Sequence, residues 1–298
     1  MKRIVAVVVT YNRCELLKEC IEALRSIEEK IDIMVVDDNA STDNTSEIVS
    51  KYSNDSNFLY YNTGKNIGGA GGFNYGIKRA YKLGYDYIWI MDDDTIVNED
   101  TLQKLVDTAN SVQDKFGWLS SLALWTDGKE CVMNYHEVAM DWNREKKNIL
   151  NGRLLCQAAT FVSLFLNRKA IQEQGLPIKE YFIWGDDTEY TKRISREYPC
   201  YLVLPSQVTH KMKNNEGTTN LWEIEDVDRI ERSFYSIRND FCTFKRISFW
   251  KMIGFLKNQI GVLKKVIFTN NPYKMRKMRV LIKALWCGLR FNPKIERV

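Results

Sequence analysis

Three consecutive carboxylates, Asp92-Asp93-Asp94, follow the apolar run Tyr87-Ile88-Trp89-Ile90. A buried strand that stops in three acids is costly unless cations meet them, because adjacent carboxylates repel and raise one another's pKa. Mg²⁺ or Mn²⁺ commonly bridges such oxygen ligands to the phosphates of a substrate. Two readings stand: a metal–diphosphate site at the carboxyl end of a strand, or an acidic turn capping a helix that begins near Glu99. His210, one of only two histidines, follows another apolar run at 201–204. With Asp92 and Asp94 it would complete a mixed oxygen and nitrogen set suited to Mn²⁺ or Mg²⁺; a structural histidine is the alternative. Farther along, Asp186-Asp187 forms a second acid pair. Desolvation of one acid beside the other would raise its pKa toward that of a general base, although the pair could instead cap a helix.

The segment Asn66-Ile67-Gly68-Gly69-Ala70-Gly71-Gly72 lets backbone approach a ligand closely or take positive φ. It is neither G-x-G-x-x-G after the first strand nor a P-loop, which removes dinucleotide and ATPase readings. A glycine-rich turn into a helix is the plainer account. Asn66 and Asn74 are candidates to hydrogen-bond sugar hydroxyls, with Gly69 between them in the candidate donor site.

The elements that would position these groups alternate. Apolar strands are expected from Ile4, Ile31, Phe58 and Tyr87, with helices over 15–27, 42–51 and 72–83. This βαβ pattern implies a parallel sheet with helices on both faces, and the Val- and Ile-rich strands match burial on both sides. In such sheets ligands bind beyond the strands' carboxyl ends. That is where Thr10-Tyr11-Asn12-Arg13, Asp37-Asp38-Asn39, the glycine cluster and the three acids fall. Further strands are expected over 116–124 and 160–166, an irregular polar insertion over 132–151, a helix from the Asp186 region to about 197, and a strand over 201–204 before Pro205.

With 298 residues the chain can bury one large domain, or one domain plus an appendage. Its net charge of +5 conceals an asymmetry: residues 242–298 hold 14 Lys or Arg and one acid, Glu296, leaving the rest at −8. Seven scattered cysteines without a C-x-x-C pair fit a reducing cytosol better than disulfides or a zinc site. Neither a signal peptide nor a membrane-crossing helix is expected. Over 249–268 an apolar helical stripe carries flanking lysines, and 273–291 mixes Lys and Arg with Met, Leu and Trp286. Basic amphipathic helices with aromatic residues read as binders of an anionic membrane surface. Packing against protein is the alternative, and no base-reading motif accompanies the charge, so nucleic acid is not the expected partner.

Five segments occur together in one order: Val9-Thr10-Tyr11-Asn12-Arg13, Val36 through Asp43, Asn66 through Gly72, Asp92-Asp93-Asp94, and Trp184-Gly185-Asp186-Asp187 followed by Glu189-Tyr190. On these the chain resembles the inverting GT-A glycosyltransferases of family 2 over about residues 3–240. The Gly-Gly-Ala-Gly-Gly-Phe and Trp-x-Asp-Asp-x-Glu-Tyr forms look most like the bacterial galactofuranosyltransferase branch, and rhamnosyltransferases share much of the pattern. The resemblance implies an α/β GT-A domain (Rossmann-like, mostly parallel sheet) over 1–240, and the charge and helical spacing beyond it give basic amphipathic helices over 241–298. It implies Thr10 and Arg13 beside the nucleotide, Asp38 on uracil or ribose, and Asp93 near the donor sugar. Asp92, Asp94 and His210 would ligate the metal, Asp187 would be the base, and Asp186 would contact the acceptor.

The expected activity is transfer of galactofuranose from UDP-galactofuranose to a lipid-linked glycan acceptor in cell-surface polysaccharide synthesis. The expected setting is cytoplasmic, peripheral to the inner face of the bacterial membrane, with a homo-oligomer left open. A dTDP-rhamnose or other UDP-hexose donor is the second expectation. A non-catalytic sugar-nucleotide-binding assembly protein is the third, and retention of all the acids argues against it.

Overall fold

Ile-Val-Ala-Val-Val-Val-Thr forms β1 (Ile4–Thr10), whose side chains divide by parity between two cores: Ala6 and Val8 on one face, Val5, Val7 and Val9 on the other. A strand covered on both faces reads as a continuous β-branched run. The division repeats in β2 (Asp32–Asp37), where Ile33 and Val35 oppose Met34 and Val36. After β3 (Phe58–Asn62) it recurs in β4 (Tyr87–Asp92), where Trp89 and Met91 oppose Ile88 and Ile90. One face is covered by α1 (Cys14–Ser26), and α2 (Thr45–Ser50) adds Val49 there; the other is covered by α3 (Gly68–Lys82).

The chain continues through β5 (Thr95–Val97), α4 (Thr101–Ser111), β6 (Trp118–Leu124), β7 (Glu137–Val138), α5 (Lys146–Leu150), β8 (Arg153–Ala158), β9 (Leu164–Asn167) and α6 (Arg168–Gln174). Then follow α7 (Asp186–Ser195), β10 (Tyr201–His210), α8 (Val227–Ile247), α9 (Phe249–Phe268) and α10 (Lys274–Arg290). The computed structural model describes residues 2–37, 40–142, 145–215, 217 and 220–298. Two compact units emerge. One comprises Met1–Lys179, Asp187–Asn215 and Ile295–Val298; the other comprises Glu180–Asp186 and Glu216–Lys294.

The first unit holds the sheet, in the order β3-β2-β1-β4-β9-β6-β10-β8-β7, with β5 paired to β10. It is a mostly parallel α/β sheet: β3, β2, β1 and β4 run parallel, as do β6 and β10, while β9 lies antiparallel between β4 and β6. The strand order reverses between β1 and β4, the position where open α/β sheets leave a crevice at their carboxyl ends. The loops after these two strands carry Thr10 to Arg13 and the three acids.

Three elements differ from the sequence expectation. Helix α3 starts at Gly68, so the glycine cluster is its first turn rather than a loop, and only Gly68 of the four takes positive φ. Gly76, farther along α3, is where the helix approaches the sheet: a Cβ there would lie 2.5 Å from Val7 Cγ1. Strand β10 does not stop before Pro205. The register against β6 shifts between Val203 and Gln207, so the missing proline N–H leaves no gap in a regular ladder. The region 132–151 contains β7 and α5.

The second unit is built on α8, α9 and α10 around Ile230, Phe241, Phe255, Val266, Leu281 and Ala284. Asp226 caps α8 through the N–H of Arg229, and Ser248 caps α9 through that of Lys251. This unit takes up the chain at Glu216, so residue 241, where the basic segment was expected to begin, lies inside α8. No helix among the described residues is long and apolar enough to cross a membrane.

An exposed helical Gly→Ala change normally gains about 1 kcal/mol of stability. Gly76→Ala should instead lose about 1–3 kcal/mol by overpacking against β1, seen as a lower urea midpoint at unchanged m-value. An equal or higher midpoint would mean that α3 can move away from β1 at no cost.

Candidate functional site

The three acids leave β4 into a tight turn that enters β5. Asp93 and Asp94 are buried, at 2% and 4% exposure, and Asp92 is half-buried. Thr10 Oγ1, the last residue of β1, donates to Asp93 Oδ2 at 2.7 Å. Arg13 Nη1 reaches Asp93 Oδ1 at 3.2 Å and Asp94 Oδ2 at 2.7 Å. His210 ends β10, where it pairs with Thr95 of β5, and this register puts its Nε2 3.1 Å from Asp94 Oδ1. The other imidazole nitrogen is fixed by Asn134 Oδ1 at 2.7 Å. Thr10, Arg13, Asp93, Asp94 and His210 therefore form one cluster, with Asp92 at its start.

The charges are unbalanced: three carboxylates face two cations. Burial pushes Asp93 up to about 6, Arg13 opposing. Burial and the neighbouring Asp94 raise Asp92 well above the ordinary carboxylate range. Asp94 goes the other way, because the contacts with His210 and Arg13 outweigh its burial. Burial would lower His210, but Asp94 holds it up at about 10, so the imidazole is protonated.

The expected metal set, Asp92, Asp94 and His210, is gathered only in part. Among the described residues no group of three or more His, Cys, Asp or Glu could hold a metal ion as it stands. Arg13 and His210 supply the positive charge that meets these acids. One atom is left over: Asp94 Oδ1 is buried and makes no aligned hydrogen bond. It lies 3.1 Å from His210 Nε2 but off the axis of a good hydrogen bond, and an acidic pair with an imidazole nitrogen is a donor set that Mg²⁺ or Mn²⁺ accepts. On that observation the residues fit a divalent ion.

The loops after β1 and β2 are tied together. Asn12, at φ 50°, accepts from the N–H of Thr42 at 2.7 Å, and Asp43 accepts from the N–H of Cys14 at 3.0 Å. Asp37 organises this end of β2: it is fully buried and accepts from Ser41 N and Oγ, Tyr60 Oη and Asn62 Nδ2. Asp38, expected on the nucleotide, lies outside the described residues. Asn66 is exposed, but its Oδ1 accepts from the N–H of Gly68 at 3.0 Å. A Cβ at Gly69 would meet nothing within 4 Å, so that face of the first turn of α3 is open. Asn74 is no sugar contact: it is buried and donates to the carbonyl of Pro177 at 2.8 Å.

Asp186 and Asp187 open α7. Burial raises Asp187 above the usual carboxylate range, while Thr188 N donates to its Oδ1 at 2.6 Å. Asp186 is buried, at 7% exposure. In the same motif Glu189 has a structural part: both its oxygens bind Arg193 at 3.0 Å, and Arg193 Nη2 also donates to the carbonyl of Leu176.

Sequence reasoning missed Asn239. It is fully buried on α8, and its Nδ2 lies 3.0, 3.1 and 2.7 Å from the carbonyls of Tyr181, Ile183 and Trp184. Phe182 and Trp184 take φ of 67° and 65°, a left-handed conformation that is strained for bulky residues. Asn239 holds that strained segment, which leads directly into Asp186. No local pattern announces a clamp so distant in sequence; an asparagine on the inner face of an amphipathic helix was the available signal.

Residues 5–164 match the family described as Glycosyl transferase family 2. The chain is 29% identical over 220 residues to galactofuranosyltransferase GlfT1 of Mycolicibacterium smegmatis, covering 71% of this chain and 72% of that protein. A poly-beta-1,6-N-acetyl-D-glucosamine synthase of Staphylococcus aureus is 34% identical over 91 residues, 30% of this chain and 21% of the synthase. Among solved structures, a mannosyltransferase from Pyrobaculum calidifontis, in complex with GDP-Man and Mn²⁺, superposes with a TM-score of 0.57 at 15% identity. That superposition covers 98% of this chain and 76% of that one. The architecture is the GT-A fold.

Removing the Asn239 amide strands carbonyls under a strained turn. Asn239→Ala should cost about 1–3 kcal/mol in urea denaturation and speed proteolysis within 181–185. Unchanged stability and cleavage would mean the turn holds itself.

Proposed function

The chain belongs to glycosyl transferase family 2, and from that premise we propose that it is a metal-dependent inverting hexosyltransferase. The donor in this reading is UDP-galactofuranose and the acceptor a lipid-linked glycan, within the synthesis of a cell-surface polysaccharide. The observation that carries it is the cluster at the end of β4: three carboxylates, two cations and one buried carboxylate oxygen, Asp94 Oδ1, without an aligned partner. The similarity to GlfT1 supports galactofuranose as the first donor to test. Similarity to the glucosamine-polymer synthase favours another UDP-hexose as second.

Asp92, Asp94 and His210 would hold the divalent ion. When bound, such an ion offsets charge gathering on the departing diphosphate. Thr10 and Arg13 keep Asp93 and Asp94 in place. Arg13, with half its side chain exposed, also presents a guanidinium to phosphate, whose geometry it matches. Asp93 and Asp38 would meet the donor's sugar and nucleoside parts, with Asn66 and the open turn at Gly69 beside them. Asp187, already raised by burial, would take the proton of the acceptor hydroxyl as that oxygen attacks the sugar carbon and the bond to the diphosphate breaks. A single displacement of this kind inverts the anomeric centre. Asp186 would bind the acceptor. The proposed setting is the cytoplasm, with the acceptor met at the inner face of the membrane; seven free thiols fit a reducing compartment.

A panel of sugar nucleotides, incubated with Mn²⁺ and lipid-linked acceptors and read by mass spectrometry, tests the reading. Transfer from UDP-galactofuranose is expected. Asp187→Asn should lower transfer about 10²–10⁴-fold while UDP affinity stays near that of the parent. UDP binding without turnover of any donor would remove the enzyme reading, and equal loss of binding and transfer would make Asp187 structural.

A further inference from the structure

Helices α9 and α10 each divide their apolar residues between a core and solvent. On α9, Phe255 and Val266 are buried and Met252, Leu256 and Leu263 pack against the same core, whereas Phe249, Trp250, Ile260, Ile267 and Phe268 remain exposed. On α10, Val280, Leu281 and Ala284 are buried, whereas Met275, Ile282, Trp286 and Leu289 are exposed. The exposed residues are not scattered. Along α9 they follow helical spacing through Trp250, Lys257, Ile260, Lys264 and Ile267; along α10, through Met275, Arg279, Ile282, Trp286 and Leu289. The α9 stripe alternates large apolar groups with cations, the α10 stripe carries Arg279 among its apolar groups, and no Asp or Glu occurs from residue 249 to 291. Exposed apolar side chains gathered in helical stripes of this kind mark an interaction site rather than scattered solvent-facing residues.

We propose that these stripes dock on an anionic lipid bilayer, with α9 and α10 lying in the interface rather than crossing it. Charge complementarity selects this occupant. Residues 242–298 carry a net +13, so a second copy would bring like charge against like, while acidic headgroups neutralise it. A nucleic acid would satisfy the cations but offer nothing to Ile260, Ile282 or Leu289; the acyl boundary takes these side chains while Lys and Arg stems reach back to the headgroups. Neither helix is apolar enough to span. The inference stands apart from the proposed reaction, because it uses none of that site's residues.

The test is sedimentation of the full chain with vesicles of phosphatidylcholine alone, or of equal parts phosphatidylcholine and phosphatidylglycerol. The chain is expected to sediment with the mixed vesicles, to stay in solution with the neutral ones, and to be released by added salt. Lys257→Glu with Lys264→Glu on α9, and Arg279→Glu with Trp286→Ser on α10, replace exposed residues. Each pair should weaken association on the order of tenfold while circular dichroism and the denaturant midpoint stay at parental values. Failure to sediment with the anionic vesicles, or sedimentation unchanged in both variants, overturns the proposal. So does a stable dimer in lipid-free solution that the α10 variant dissociates, because the stripe would then belong to a second copy. Vesicle binding that persists when no donor is turned over would leave this proposal standing and reject only the reaction.

Discussion

Three carboxylates at one strand end coexist only because something positive stands among them, and much of the first unit is arranged to bring it there. Arg13 arrives from the loop after β1 and His210 from the end of β10, so two distant segments of the chain meet the acids. The parallel registers of β1 and β4, with Val9 opposite Asp92, set Thr10 within reach of Asp93. The compensation stops short of neutrality. Two cations meet three acids, burial with the neighbouring Asp94 leaves Asp92 and Asp93 raised, and one oxygen of Asp94 has no aligned partner.

The sequence was most legible where burial dictates residue type. Strands covered on both faces read as apolar runs, and β1, β2, β3 and β4 begin at or beside the residues expected from that pattern. It was least legible where a long-range contact overrides a local preference. Glycines at 68–72 read as a loop, yet the chain is helical there because backbone hydrogen bonding continues through residues that merely lack a side chain. Pro205 read as a strand end, yet a register shift absorbs it. Asp37, given no role of its own in the sequence, ties the loop after β2, because four separate groups converge on it from β3 and from Ser41.

The second unit shows the same economy in helical form. Asn239 carries no charge and belongs to no motif, but from the buried side of α8 its two amide N–H bonds are shared among three carbonyls of a turn that two left-handed aromatic residues would otherwise destabilise. The apolar residues of α9 and α10 were legible as a stripe, but not as two. Sequence periodicity finds the face that is apolar, and only packing shows that part of it is spent on the core of α8 while the rest faces outward.

The most direct measurement is anomalous diffraction at the manganese edge from crystals grown with Mn²⁺ and UDP. The account predicts a single strong peak within bonding distance of Asp94 and His210, with the UDP diphosphate against it and the imidazole no longer paired with Asp94. Ordered UDP with the Asp94–His210 pair intact and the manganese absent or elsewhere would contradict it.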